Sequence, residues 1–196
     1  MDDDREIRDF WTDARIRGGL NPASAYLGST ASDTLPPPAW SFGDTAEVAD
    51  RLLALVLEGR KTATASARWE YAEDALRGAP GAGRSAEGDL LVRAEIAVDL
   101  PRPGGLSIVL DGAGVPRALI RTTRVQVVRF GEVDEEHARR EGEGSLDEWR
   151  AVHRAIFAST APPGQEVTDD TLVVLERFVV VVPASARRAA KRNGLG

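Results

Sequence analysis

The segment Leu172 to Val182 is apolar except for Glu176 and Arg177. It is far too short to cross a bilayer, which takes about 20 apolar residues. Its valines favour an extended chain over a helix. It therefore predicts a long, central, buried strand, and such a strand needs partners. Ala118 to Phe130, rich in Val and Thr, is the obvious one. Leu106 to Leu110 precedes it, and Asp111-Gly112-Ala113-Gly114 supplies a turn, so these two predict a β-hairpin.

Helical patterns surround the strands. Residues 3–17 place Ile7, Phe10, Trp11 and Ala14 at three- and four-residue spacing, and Gly18 and Gly19 stop the run. A second helix follows Asp44 or Thr45 as cap, with Glu47 three after Asp44. Its stripe is Val48, Leu52, Leu55 and Val56, and Gly59 ends it. Residues 134–141 form a short helix with acids at its positive end. Ser145 and Glu148 make a capping box opening a helix with Leu146, Trp149, Val152 and Ile156 on one side.

Between these lie a strap at 18–41, a loop at 78–89, and an alternating strand carrying Val92, Ala94, Ile96 and Val98. The strap contains Pro36-Pro37-Pro38, and Tyr26 and Trp40 are expected to pin it. The sum is an α+β chain: a small antiparallel or mixed β-barrel, closed or half-closed, flanked by helices. Residues 1–37 read as an N-terminal helix and Pro-rich strap, 38–183 as the domain, and 184–196 as a basic tail.

Composition removes several classes of function. There is no cysteine among the 196 residues, which excludes disulfides, thiolate metal sites and a cysteine nucleophile. His137 and His153 share no helix-face spacing, so no zinc site is expected, and His153 reads as a helix-surface or satisfied polar residue. The acids at 134–143 read mostly as a solvated face. Gly78, Gly81 and Gly83 match no phosphate-loop pattern. No apolar run is long enough to span a membrane and none stands at the N-terminus, so a cytoplasmic protein is expected. The net charge of −6 argues against coating nucleic acid without regard to sequence, but not against a local basic cleft.

The positive charges divide unevenly: 23 are Arg, and only Lys61 and Lys191 are Lys. Arg cannot lose its proton in a protein, whereas a lysine withdrawn from water can act as a base. Lys61 lies just past a helix stop, in Gly59-Arg60-Lys61-Thr62-Ala63-Thr64-Ala65-Ser66, where the polar residues alternate as in a strand. A hydroxyl three residues on and a carboxylate from elsewhere would complete a hydrolytic set. By spacing alone Lys-x-x-Thr is common, and these residues also suit an ordinary strand.

This stretch, with Phe42-Gly43-Asp44-Thr45 before it and Trp69-Glu70-Tyr71 after it, resembles the ASCH domain family. So do Leu106 to Gly112, Phe130-Gly131-Glu132-Val133, Glu141 to Leu146, Trp149-Arg150 and Leu175-Glu176-Arg177-Phe178. The resemblance covers residues 38–182 in the family's order and is nearest the larger bacterial branch, which has a ribonuclease-like member. It implies a PUA-like barrel, a cleft beside the helix before Lys-x-x-Thr, and an association with RNA. A smaller member removes the acetyl group of N4-acetylcytidine with a Lys, a Thr three residues later and a Glu. These correspond to Lys61, Thr64 and Glu141, the last because His137-Ala138-x-x-Glu141 matches.

The resemblance thus implies three readings: cleavage of single-stranded RNA, amide hydrolysis on a modified ribonucleoside, and RNA binding without catalysis. Lys61 is expected as general base or electrostatic stabiliser, Thr64 as hydroxyl and Glu141 as proton relay. Arg60, Ser66, Trp69, Tyr71 and Arg177 are the expected substrate contacts. No cofactor is required, although a divalent metal ion would assist RNA cleavage. Residues 73–98 have no counterpart in the family pattern and would cover or reshape the cleft, and Gly105 stands where the family commonly has Asp.

Overall fold

The computed structural model describes residues 3–20, 35–71 and 99–196. The elements run α1 (Asp3–Arg17), β1 (Ala39–Ser41), α2 (Ala46–Leu57), β2 (Ala63–Ala67), β3 (Leu106–Leu110) and β4 (Pro116–Arg129). Then come α3 (Glu135–Glu141), α4 (Leu146–Thr160), β5 (Leu172–Val182) and α5 (Ala184–Arg192). Short 3₁₀ turns occupy Arg68–Glu70 and Phe130–Glu132.

The strands form one sheet in the order β1-β3-β4-β5-β2. β1 runs parallel to β3, and every other pairing is antiparallel. The sheet curls into a half-barrel, so the fold is α+β and PUA-like. As the apolar run requires, β5 lies inside the sheet, between β4 and β2. The β3–β4 hairpin forms as expected, with Asp111 accepting from the Ala113 and Val115 amides across its turn.

Three clusters hold the layers together. Leu52, Leu53 and Val56 of α2 pack on Val109, Ile120, Phe178 and Val180 of the sheet. Trp149 and Phe157 of α4 pack on Phe130, Val173 and Leu175. Trp11 and Ala14 of α1 close over Ile108, Leu119 and Val181. No helix among the described residues is long and apolar enough to cross a membrane.

Several local expectations are corrected. Of the two caps expected for α2, Thr45 is the one that forms, accepting from the Val48 amide. The end of the strap is not all loop, because Ala39–Ser41 pairs with β3. On α4, Val152 and Ile156 are 45% and 47% exposed, while Trp149, His153 and Phe157 are buried. That face repeats at four residues, and His153 belongs to it because its ring stacks on Trp149 at 4.1 Å. Residues 184–192 are helix rather than tail, with Ala186, Ala189 and Ala190 buried and the cations outward. The strand carrying Val92, Ala94, Ile96 and Val98, the loop 78–89, the insertion 73–98 and Tyr26 lie outside the described residues.

Candidate active site: a buried lysine–carboxylate pair

The site begins where α2 stops. The Gly59 amide donates to Val56 O at 3.0 Å and the Arg60 amide to Leu55 O at 2.8 Å, a Schellman closure. It needs a left-handed residue, and Gly59 has φ +69°. A Cβ there would also lie 2.1 Å from the Ala190 nitrogen of α5. The Lys61 amide then donates to Leu55 O, and the Thr62 amide to Arg140 O of α3 at 2.7 Å. Lys61 is thus held between the end of α2 and the end of α3.

α3 brings the carboxylate. Asp134 caps it by accepting from the His137 amide at 2.7 Å. His137 and Glu141, one turn apart, share its inward face. Gly142, with φ +74°, ends the helix where a Cβ would press 2.9 Å from Arg60 O. Both helix ends therefore use glycine, and each permits a close backbone approach.

Lys61 Nζ donates to Glu141 Oε2 at 2.9 Å, and both side chains are 1% exposed. Glu141 Oε1 accepts from Trp149 Nε1 at 2.8 Å and lies 3.0 Å from His137 Nε2. Glu143 Oε2 is 3.7 Å from Lys61 Nζ, and Arg51 reaches Glu143 from outside. The Phe42 ring lies 5.2 Å from the ammonium. Burial by itself would push the Glu141 carboxyl up. The Lys61 charge, the His137 hydrogen bond and the charges of His153 and His137 outweigh it and hold the group below the ordinary carboxylate range.

The two histidines converge on this carboxylate, which spacing did not foresee. His153 Nε2 is 3.7 Å from Glu141 Oε1, and its Nδ1 lies 3.0 Å from Trp149 O. A carbonyl only accepts, so Nδ1 carries the proton. Burial lowers the His153 pKa; Lys61 adds to the fall, against the pull of Glu141, the Trp149 carbonyl and Glu143. The available signal was the repeated four-residue pair, His137 with Glu141 and Trp149 with His153, on two helices joined by a short turn. The acids divide accordingly: Glu141 is buried, whereas Glu135 is exposed and Glu136 is half-buried.

One oxygen each from Glu141 and Glu143 and one nitrogen from His153 lie within 4.8 Å of one another. That donor set suits a divalent cation. The Lys61 ammonium, however, sits against both carboxylates, so the set does not fit an ion while the lysine is in place.

Thr64 stands in a second polar group. It is opposite Glu176 in the β2–β5 register, so both point to one face. Glu176 accepts from Thr122 Oγ1 at 2.5 Å, and burial raises its pKa against that hydrogen bond. Ser66 hydrogen-bonds Tyr71, whose hydroxyl is pushed up by burial and by the charges of Glu176 and Glu70. Sequence reasoning did not single out Glu176 or Thr122. No hydrogen bond joins Thr64 to Lys61 or Glu141.

The remaining expected contacts are dispersed. Trp69 packs toward α4 and donates from Nε1 to Thr160 Oγ1 at 3.4 Å. Arg60 is exposed, pairs with Glu58, and borders a surface hollow of about 260 Å³ with Arg139, Gly142, Gly144, Asn193 and Leu195. A larger hollow of about 490 Å³ lies beside Glu135, Glu136 and Leu146. Neither is lined by Lys61, Thr64 or Glu141. Arg177 neighbours Glu176 along β5 and so projects from the opposite face of the sheet.

The ASCH domain family model matches residues 38–83 and 92–182. Protein EF3133 from Enterococcus faecalis V583, whose structure is described under family model DUF984, is 31% identical, with a TM-score of 0.65 over 90% of this chain and 93% of its own. The ASCH domain from Lactobacillus crispatus JV V101 shares the fold, at 24% identity and a TM-score of 0.63 over 90% of this chain and 94% of its own. None of the curated proteins matches the chain. The match over most of the length of this PUA-like half-barrel settles the assignment: the chain belongs to the ASCH domain family, whose fold is linked in general to RNA binding.

Proposed function

We propose that the protein is an RNA-directed hydrolase that cleaves single-stranded RNA. The observation that carries this reading is the 2.9 Å contact between Lys61 Nζ and Glu141 Oε2, formed 80 positions apart in the chain. The pair is an ammonium against a carboxylate held ionised by its surroundings. Lys61 in that state is a source of positive charge rather than a base. Such a group stabilises the charge that gathers on the phosphorane oxygens when a 2′-hydroxyl attacks the adjacent phosphorus and the P–O5′ bond breaks. Glu141 relays the proton, and Thr64 orients the reacting group from β2. Ser66 and Tyr71 contact the base, Trp69 flanks it, and Arg60 meets a phosphate.

A second reading has its own support. Thr64 stands opposite Glu176, whose carboxyl burial keeps protonatable toward higher pH. A hydroxyl beside such a group suits amide hydrolysis on an acylated cytidine such as N4-acetylcytidine: Thr64 attacks the acyl carbon, Glu176 takes its proton and gives it to N4 as the C–N bond breaks and cytidine leaves, and water then frees the acyl group from Thr64.

Incubation with labelled single-stranded RNA and, separately, with N4-acetylcytidine tests both. Shortened RNA selects the first reading, and free cytidine selects the second. Binding of RNA with neither product leaves a recognition module. Under the first reading Lys61→Arg retains part of the cleavage rate and Lys61→Ala loses it, because charge is what Lys61 supplies.

A further inference from the structure

The face of the sheet turned away from Thr64 gathers arginines. Arg124 of β4 and Arg177 of β5 are register partners, so their side chains leave the sheet on one side. Arg121, opposite Val179, shares that side one pair farther along. Arg140 of α3 lies close enough for its charge to act on Arg177, and its Nη1 donates at 3.4 Å to Thr62 Oγ1, one residue before Ala63, the β2 partner of Arg177. It is held there by Glu136 at 2.7 Å and by its donation to Leu195 O at 3.1 Å.

These charges are poorly answered. Neither Arg124 nor Arg177 has an acid within 4.0 Å among the described residues. Arg177 Nε is buried with no hydrogen-bond partner. Burial, then Arg140 and Arg124, disfavour its cation; Glu136 and Asp134 oppose them. Both acids are already engaged, Glu136 with Arg139 and Arg140, and Asp134 in capping α3. The chain carries a net −6, so this gathering is not an excess of positive charge spread over the surface.

We propose that Arg124, Arg177 and Arg140 form an anion site that takes a phosphate group. Guanidinium forks match phosphate oxygens in geometry as well as charge. A bound phosphate offsets the repulsion among the three cations. On the RNA-directed reading, on which this step rests for its source, the group is a backbone phosphodiester of a strand crossing the sheet outside the Thr64 face. A free phosphate or a phosphorylated small molecule presents the same chemistry.

The test uses the full chain in two arms. In the first, a short 5′-labelled single-stranded RNA is titrated by fluorescence anisotropy over a series of salt concentrations. Arg124 is exposed and makes no ion pair, so Arg124→Gln leaves the fold intact. It is expected to weaken RNA binding roughly tenfold. It should also flatten the log–log salt slope by about 0.7, the loss of one single-strand phosphate contact. Arg188→Gln, on the outer side of α5, separates a site from general positive charge and leaves affinity near wild type.

In the second arm inorganic phosphate is titrated while the Arg177 Nε–H resonance is followed. It shifts in the wild type and stays put in Arg124→Gln. A phosphate response without an effect of Arg124→Gln on RNA keeps the site and makes its ligand a small phosphate. Arg124-dependent RNA binding without RNA cleavage keeps the site and removes the nuclease reading. Wild-type behaviour of Arg124→Gln in both arms, or equal losses in Arg188→Gln, overturns the site.

Discussion

Lys61 Nζ and Glu141 Oε2 lie 2.9 Å apart with both side chains 1% exposed, so two opposite charges are buried against each other. Such a pair offsets a large desolvation cost, and its removal is asymmetric. Glu141→Gln leaves the buried ammonium with only the more distant Glu143 carboxylate, at 3.7 Å, and is expected to lower stability by about 3 kcal/mol. The double variant Lys61→Met, Glu141→Leu should cost much less than the single change. Urea denaturation of both measures this, and equal losses would show that the pair does not act as a unit.

The same carboxylate makes stability depend on pH. Its folded pKa lies below the unfolded value, so its contribution is full above the ordinary carboxylate range and is lost as pH falls through the folded pKa. Wild type and Glu141→Gln should therefore differ most near neutrality and converge in acid. Denaturation midpoints at neutral and strongly acidic pH check the sign.

Glu176 behaves in the opposite sense. Burial raises its folded pKa, so the folded state is favoured at low pH and loses that preference as pH rises through the folded pKa. Glu176→Gln keeps an acceptor for Thr122 and removes the buried charge. It should gain stability over wild type at pH 8, far above the ordinary carboxyl value of about 4.3, and none at pH 4, below it. A stability difference that stays constant over this range would contradict the assignment.

Gly59 and Gly104 form an internal control for the turn that delivers Lys61. Both have positive φ, at +69° and +91°, but a Cβ on Gly104 meets nothing within 4 Å. Gly104→Ala should cost about 1–2 kcal/mol, the left-handed penalty alone. Gly59→Ala also drives Cβ into the Ala190 backbone and should cost about 1–3 kcal/mol more. Thermal unfolding of the pair reads the difference.

On α4 the exposed and buried faces differ in kind. Val152→Ser and Ile156→Ser should stay within about 0.5 kcal/mol of wild type. Trp149→Ala should lose about 3–5 kcal/mol, because it empties the cluster and takes a donor from Glu141. Chemical denaturation separates the two classes.

Much of this was legible along the chain. The apolar run of β5, the β3–β4 turn, the Ser145–Glu148 box and the Gly59 stop depend on neighbours a few residues away, so local spacing determines them. Lys61 could be singled out because it stands nearly alone among arginines, and Glu141 through the match that named it. The fold class followed from strands and helices written plainly in their periods.

What spacing could not supply was the company those residues keep. Helix periodicity gives the angle between side chains but not which arc meets the sheet, so spacing alone puts Val152 and Ile156 inside and leaves His153 between a surface and a satisfied polar position. The meeting of His137, His153, Trp149 and Lys61 on one carboxylate joins three segments, and so does the gathering of Arg124, Arg177 and Arg140 across two strands and a helix. Strand register and helix docking decide such encounters, because a shift of one residue turns every strand side chain to the other face and swings a helix face by about 100°.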